Sequence, residues 1–230
     1  MFDPKTPEIK KICESLIGCE IKIGFTITLQ NGEYHSEEIN NCNIIGNCME
    51  NILYPFIRKH IPTFEKGPPG QKPDFINVET ETKRRYDYEL KCFNKKSGPG
   101  FDIGGITGFL KDMSELGGVQ KKLDVKYLIF EYDNTEETFK IINFWMLSVC
   151  DICCGYGGSK PINIGGQSGV NIRPSTKNQW TNEASKEKRN PTNFLDRIEK
   201  LIQSKWYNDD ELEKQKKLES IQIQRYDIGI

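Results

Sequence analysis

The sequence predicts an α/β fold in which a mixed central β-sheet is flanked by helices. Three observations predict it. Residues 125–133 and 138–149 are long apolar runs rich in β-branched and aromatic residues, separated by the polar stretch Asn134-Thr-Glu-Glu; they read as two adjacent strands. Residues 73–78 and 86–91 are shorter strand-like runs joined by a charged segment, 79–85. Residues 5–17, 43–60 and 191–206 instead repeat their apolar positions at helical spacing.

The length of 230 residues suits one large domain or a compact two-lobed subunit. At 36% hydrophobic and 28% charged residues, the composition is globular. No apolar run approaches the roughly 18 residues of a membrane span. The start, Met1-Phe-Asp-Pro-Lys-Thr-Pro-Glu, lacks a basic segment followed by an apolar one, so no signal peptide is expected and the expected compartment is cytoplasmic. The eight cysteines form no two C-x₂-C pairs; Cys150-x₂-Cys153-Cys154 comes nearest, and His35 and His60 do not complete a zinc set. Reduced, largely buried thiols are expected. The net charge of −1 offers little general attraction to nucleic acid. Lys83-Arg84-Arg85, Lys95-Lys96, Lys121-Lys122 and the 173–177 segment are local basic clusters, each of which also reads as solvated surface.

The first helix opens at Thr6-Pro7-Glu8 and buries a stripe of Ile9, Ile12, Cys13, Leu16 and Ile17. Residues 20–29 alternate and are followed by Asn31-Gly32, a hairpin signal. This N-terminal unit is a candidate for dimerisation, with ordinary core packing as the alternative. In the second helix, Ile44, Ile45, Cys48, Met49, Ile52, Leu53, Phe56 and Ile57 share a face, and Pro55 is expected to kink it or break its hydrogen bonding. Gly67-Pro-Pro-Gly70 then interrupts regular structure.

Residues 73–91 carry the chemistry. Strand side chains alternate, so Arg85, Asp87, Glu89 and Lys91 share one face, and Tyr86, Tyr88, Leu90 and Cys92 the other. If the two runs pair as a hairpin, Asp74 reaches the charged face. Two carboxylates can hold a hard divalent cation for activating water and stabilising charge on a phosphodiester. A lysine beside them can orient the water or stabilise developing charge. The residue types alone also allow a plain exposed strand face with a local Glu-Lys pair.

After this strand, 94–100 is a flexible basic loop suited to tracking phosphates, with Lys95 and Lys96 as its cations. A helix over 105–115 follows the Gly104-Gly105 pair, and its Thr107 and Lys111 are candidate phosphate contacts. Residues 155–173 are too polar and glycine-rich for an element interior. Their side chains suit base edges in the major groove, although a mobile surface loop has the same composition. A polar linker, 175–190, leads to the 191–206 helix, which buries Phe194, Leu195, Ile198, Leu201 and Ile202, and to a charged helix at about 209–219.

Pro73-Asp74 followed by Glu89-Leu90-Lys91 resembles the PD-(D/E)xK motif of restriction-type nucleases. Three further features resemble the EcoRV-like branch of the type II restriction endonucleases. These are Glu50 with Pro55 upstream, the segment Phe101-Asp-Ile-Gly104-Gly105-Ile-Thr107-Gly-Phe109, and the polar 155–173 loop. Together they cover roughly residues 45–175.

The resemblance implies a restriction-endonuclease-like fold with a DNA-binding cleft. It spans 1–230 as one domain, with 1–42 for dimerisation, 43–149 as catalytic core, 150–175 as recognition loop and 176–230 as C-terminal helices. It implies a homodimer that cuts both strands of a short palindromic double-stranded DNA site to blunt ends, in a restriction-modification system. Mg²⁺, one or two ions per site, would lie on Asp74, Glu89 and Glu50, with Lys91 completing the catalytic set. Gln71 and Lys72 would enter the minor groove. Ser159, Lys160, Asn163, Gln167, Ser168, Asn171 and Arg173 are the candidates for base reading. The family's loop ends in Asn-Ile, and both Asn163-Ile164 and Asn171-Ile172 fit. A structure-specific repair or junction-resolving nuclease on the same fold, and a non-catalytic DNA-binding module, are the alternatives.

Overall fold

The computed structural model describes residues 3–22, 24–28, 34–38, 42–134, 138–155, 160–165 and 171–230. In chain order the elements are α1 (Thr6–Glu14), β1 (Glu20–Ile21), β2 (Gly24–Thr28), β3 (Tyr34–Glu38), α2 (Cys42–Arg58), β4 (Phe64–Lys66), β5 (Phe75–Val78) and β6 (Arg85–Asn94). Then follow β7 (Gly104–Gly105), α3 (Ile106–Ser114), α4 (Gly118–Asp124), β8 (Lys126–Asn134), β9 (Phe139–Leu147) and α5 (Val149–Ile152). The chain closes with β10 (Ile164–Gly165), β11 (Asn171–Ile172), α6 (Lys177–Thr181), a 3₁₀ turn at Glu183–Lys188, α7 (Pro191–Ile202) and α8 (Glu211–Asp227). No helix among the described residues is long and apolar enough to cross a membrane.

The chain forms two compact units: Met1–Gly98 with Lys126–Met146, and Pro99–Val125 with Leu147–Ile230. The expected 43–149 core is thus shared between them. In the first unit a six-stranded mixed sheet has the order β1-β9-β8-β6-β5-β4. β5 is antiparallel to both β4 and β6, while β6 and β8 run parallel. The alternation expected for β6 is present. Tyr86, Tyr88 and Leu90 join Phe75, Leu128, Phe130 and Tyr132 in a core with Ile9, Cys13, Ile45, Met49, Leu53 and Ile57 from α1 and α2. The helices therefore cover one face of the sheet, and the charged residues of β6 occupy the other.

A buried polar network fixes that hairpin from its core side. Asp3 accepts hydrogen bonds from Tyr88 Oη (2.5 Å) and Asn77 Nδ2 (2.8 Å), and Asn77 Oδ1 accepts from Thr63 Oγ1 (2.7 Å). Helix α2 runs through Pro55 as one element. Proline removes its own N–H bond, but its carbonyl still accepts from Lys59 N at 3.1 Å, so the expected interruption is confined to one hydrogen bond. β2 and β3 form the antiparallel hairpin that Asn31-Gly32 signals, with Thr28 opposite Tyr34; Asn31 and Gly32 themselves lie outside the described residues.

In the second unit, β10, β11 and β7 form a three-stranded sheet. The two Asn-Ile pairs that compete as the loop's end bring Ile164 and Ile172 to neighbouring strands, opposite one another and both buried. β11 also pairs with Gly104–Gly105, so the two glycine-rich segments are parts of one sheet. α7 buries the five expected residues. α8 extends past the expected end because Ile221 and Gln224 are buried further along. Gln224 ties it down, accepting from Val119 N (3.0 Å) and donating to Met113 O (3.0 Å). The expected polar linker contains α6 and the 3₁₀ turn, anchored by buried Trp180. Cys150, Cys153 and Cys154 are buried, and burial raises the Cys153 thiol well above its usual range.

Candidate active site

The β5–β6 register places Phe75 opposite Tyr88 and Ile76 opposite Asp87. One further step puts Asp74 opposite Glu89, and directly opposed residues share a face. Asp74 is fixed twice. Its Oδ2 accepts from Leu90 N at 2.6 Å, and its carbonyl accepts from Gly67 N at 2.8 Å. Only glycine fits at 67, since a Cβ there would lie 1.7 Å from the Pro73 carbonyl oxygen.

Glu89 is 3% exposed and meets two lysines. Its Oε2 accepts from Lys91 Nζ at 3.1 Å, and Lys72 Nζ stands 3.8 Å away. Lys91 is mostly buried, with 16% of its side chain exposed, against 53% for Lys72. Lys72, expected in a groove-entering loop, thus stands beside the Glu89 carboxylate. Its position just before Pro73-Asp74, opposite the Glu89 strand, is the signal that the motif pattern left unread. Burial pushes the neighbouring Cys92 thiol up to about 12, with Lys91 opposing and Asp74 adding to the shift. Cys92 is therefore a protonated thiol at neutral pH, not a nucleophile.

Glu50 is placed differently from Asp74 and Glu89. It pairs with Lys66 at 3.8 Å, and Lys66 also donates to Asn51 Oδ1 at 2.7 Å. Among the described residues no group of three or more His, Cys, Asp or Glu side chains is placed to hold a metal. The expected three-carboxylate set is therefore not assembled. Two carboxylates remain, an all-oxygen donor set. It fits Mg²⁺, which is usually held by one or two carboxylates and keeps several waters.

The family model for the NgoBV restriction endonuclease matches residues 20–228. The chain belongs to this family. It is also 30% identical over 135 residues to the type II restriction enzyme NlaIV of Neisseria lactamica. That alignment takes in 57% of this chain and spans about half, 54%, of the relative's length. Among solved structures, the NlaIV restriction endonuclease superposes with a TM-score of 0.71 at 21% identity, covering 99% of this chain and 91% of the other. The mixed sheet with its flanking helices is thus a restriction-endonuclease fold.

The remaining candidate residues fall into distinct settings. Gln71 is exposed in a turn where its N–H donates to Pro68 O at 3.1 Å. Lys95 and Lys96 are exposed, and Lys95 pairs with Asp133 at 3.7 Å. Their segment contains a hydrogen-bonded turn, in which Asn94 O accepts from Ser97 N and Gly98 N. Thr107 and Lys111 are exposed one turn apart on α3, a spacing that puts both on one face.

In the recognition segment, Ser159, Gln167 and Ser168 lie outside the described residues. Lys160 donates to Ile164 O at 3.2 Å and sits 4.5 Å over the Trp206 ring. Asn163 braces the hairpin, donating from Nδ2 to Pro174 O at 2.7 Å. Asn171 and Arg173 share a partner absent from the expected site, Asp102. An acidic residue next to the Gly104-Gly105 pair was its only sequence signal.

Proposed function

We propose that this chain is a type II site-specific deoxyribonuclease that hydrolyses both strands of double-stranded DNA. The observation that carries the reading is the Asp74 carboxylate held on the Leu90 N–H next to Glu89, with Lys91 hydrogen-bonded to Glu89. Membership of the NgoBV family supports it, as does the name of the relative from Neisseria lactamica, a type II restriction enzyme. Asp74 and Glu89 would hold Mg²⁺. Bound there, the cation would lower the pKa of water and stabilise charge on the phosphate.

The chain's own residues supply the rest. Asp74 is immobilised by the Leu90 and Gly67 N–H groups, so its free carboxylate oxygen has a defined position. Lys91 has three N–H donors, of which Glu89 takes one. The others can orient the attacking water or meet the scissile phosphate as charge develops. Lys72 adds positive charge at the same carboxylate. Thr107, Lys111, Lys95 and Lys96 suit contacts to the phosphate backbone, and the β10–β11 hairpin carries the base-reading side chains.

A palindromic site read by a homodimer follows from the symmetry of the task, since each subunit then reads one half and cuts one strand. The Gly104-Gly105 segment, an EcoRV-like feature of the sequence, supports blunt cutting. The test is digestion of a fully sequenced, unmethylated plasmid with Mg²⁺, beside EDTA and Lys91→Ala controls. Discrete fragments that vanish in both controls are expected. A smear, or cutting of branched DNA alone, would overturn site-specific restriction.

A further inference from the structure

Asp102 stands just before β7, exposed, and each oxygen of its carboxylate accepts from a side chain of the recognition segment. Oδ2 accepts from Asn171 Nδ2 at 2.8 Å, and Oδ1 accepts from Arg173 Nε at 3.0 Å. Asn171 and Arg173 are two residues apart on an extended segment, so they share a face. Ile172 between them is fully buried and anchors that strand.

The chemistry of this triad is directional. A carboxylate can only accept, so it fixes which end of the Asn171 amide faces Asp102. The acceptor Oδ1 is turned away, 3.7 Å from where a Cβ on Gly105 would stand. For Arg173, Nε is consumed and the two terminal nitrogens remain as a parallel donor pair. The side chain lies flat across Gly165, where a Cβ would come within 2.9 Å of Arg173 Cδ and 3.3 Å of Nε. Gly165 thus clears the space in which the Arg173 side chain lies, while Asn171 Oδ1 keeps ordinary contact distance from position 105.

We propose that Asp102 is a specificity-positioning residue. It presents the Arg173 terminal fork to a guanine O6/N7 edge, and the Asn171 Oδ1 to an exocyclic amine of cytosine or adenine, in the major groove. These pairings follow from the donor and acceptor pattern of base edges. The inference rests on the restriction-endonuclease reading above. A salt bridge this exposed contributes little to stability, so orientation of the two readers is the role left to it.

The test uses the full chain with Mg²⁺. End-sequencing of plasmid fragments first gives the wild-type site. Cleavage rates are then measured on synthetic duplexes carrying that site and each of its single-base-pair substitutions. Wild type is compared with Asp102→Ala, Asp102→Asn, Arg173→Ala and the Asp102→Ala/Arg173→Ala double variant.

Asp102→Ala is expected to lower discrimination about tenfold at the base pairs that Arg173 and Asn171 read, and at no others. Its melting temperature should match wild type. Asp102→Asn should fall between the two, because it keeps one acceptor oxygen. The double variant should discriminate no worse than Arg173→Ala at the Arg173 position. Unchanged discrimination in Asp102→Ala would overturn the proposal. So would an equal loss on every duplex with a shallower salt dependence, which marks a phosphate clamp, and so would tighter binding with selectivity intact, which marks a competitor of DNA. Wild type cutting without any sequence preference would remove the restriction reading, and this inference with it.

Discussion

Asp74 and Leu90 are joined across the β5–β6 hairpin by a hydrogen bond of 2.6 Å from the Leu90 N–H to the Asp74 carboxylate. One side chain thus serves both the site and the sheet, and two substitutions separate those roles. Asp74→Asn keeps an oxygen acceptor for Leu90 and should melt near wild type. Asp74→Ala leaves the N–H unpaired, at a cost of about 1–3 kcal/mol, and should melt several degrees lower. Both should lose DNA cleavage. Thermal melts beside a plasmid assay check the pair, and an active Asp74→Asn enzyme would remove the carboxylate from the mechanism.

The two lysines at Glu89 should differ in kind. Lys91 is mostly buried and hydrogen-bonded, whereas Lys72 is half exposed at 3.8 Å. Lys91→Ala should slow cleavage by about 10²–10³-fold at any ionic strength. Lys72→Ala should cost roughly tenfold or less, and the deficit should shrink as salt is raised, because exposed charges are screened. Single-turnover rates at low and high salt distinguish them.

The Asp3 network predicts a stability effect far along the chain from Asp74, Glu89 and Lys91. Asp3→Ala strips the acceptor from Tyr88 Oη and Asn77 Nδ2, both buried. Each orphaned group costs about 1–3 kcal/mol. The urea midpoint should fall clearly, and Tyr88→Phe should shift it less, because it removes one donor and leaves Asn77 still paired. Equal midpoints for wild type and Asp3→Ala would show that the network is dispensable.

Asp209 gives a pH signature. Hydrogen bonds from Lys217 (2.9 Å) and Tyr207 (2.6 Å) lower its carboxyl to about 2. The folded value lies below the unfolded one of about 3.9. The stabilisation is therefore complete above pH ~4 and is lost as pH falls toward 2. Asp209→Asn should melt below wild type at pH 7, and the gap should close on acidification between those limits. A gap that stays constant from pH 7 to pH 2.5 would contradict this.

The two faces of β6 at the candidate site were legible because they depend on period-two alternation. Tyr86, Tyr88 and Leu90 against Glu89 and Lys91 is a pattern that a strand can satisfy in only one way, and the core confirms it. The α7 stripe was readable for the same kind of reason. Glu50 was not, because a helix position says nothing about which strand residue it meets, and here it meets Lys66. The sheet joining Gly104–Gly105 to Asn171–Ile172 was also hidden. Two-residue strands carry no periodicity, and their partners are distant in sequence. Asp102 was overlooked for that reason. Nothing near it in the chain hints at Asn171 or Arg173.

The parallel pairing of β6 with β8 has a consequence for the order in which the protein is made. β5 and β6 emerge from the ribosome together and can close their hairpin at once, but β8 follows only after residues 95–125 have been synthesised. Until then the outer edge of β6 is bare, and a bare strand edge is a template for another chain. A nascent chain stalled in that interval, or a gene product truncated there, would carry the β5–β6 hairpin as its stickiest surface. Shielding from holdase chaperones would matter most over that short window of translation.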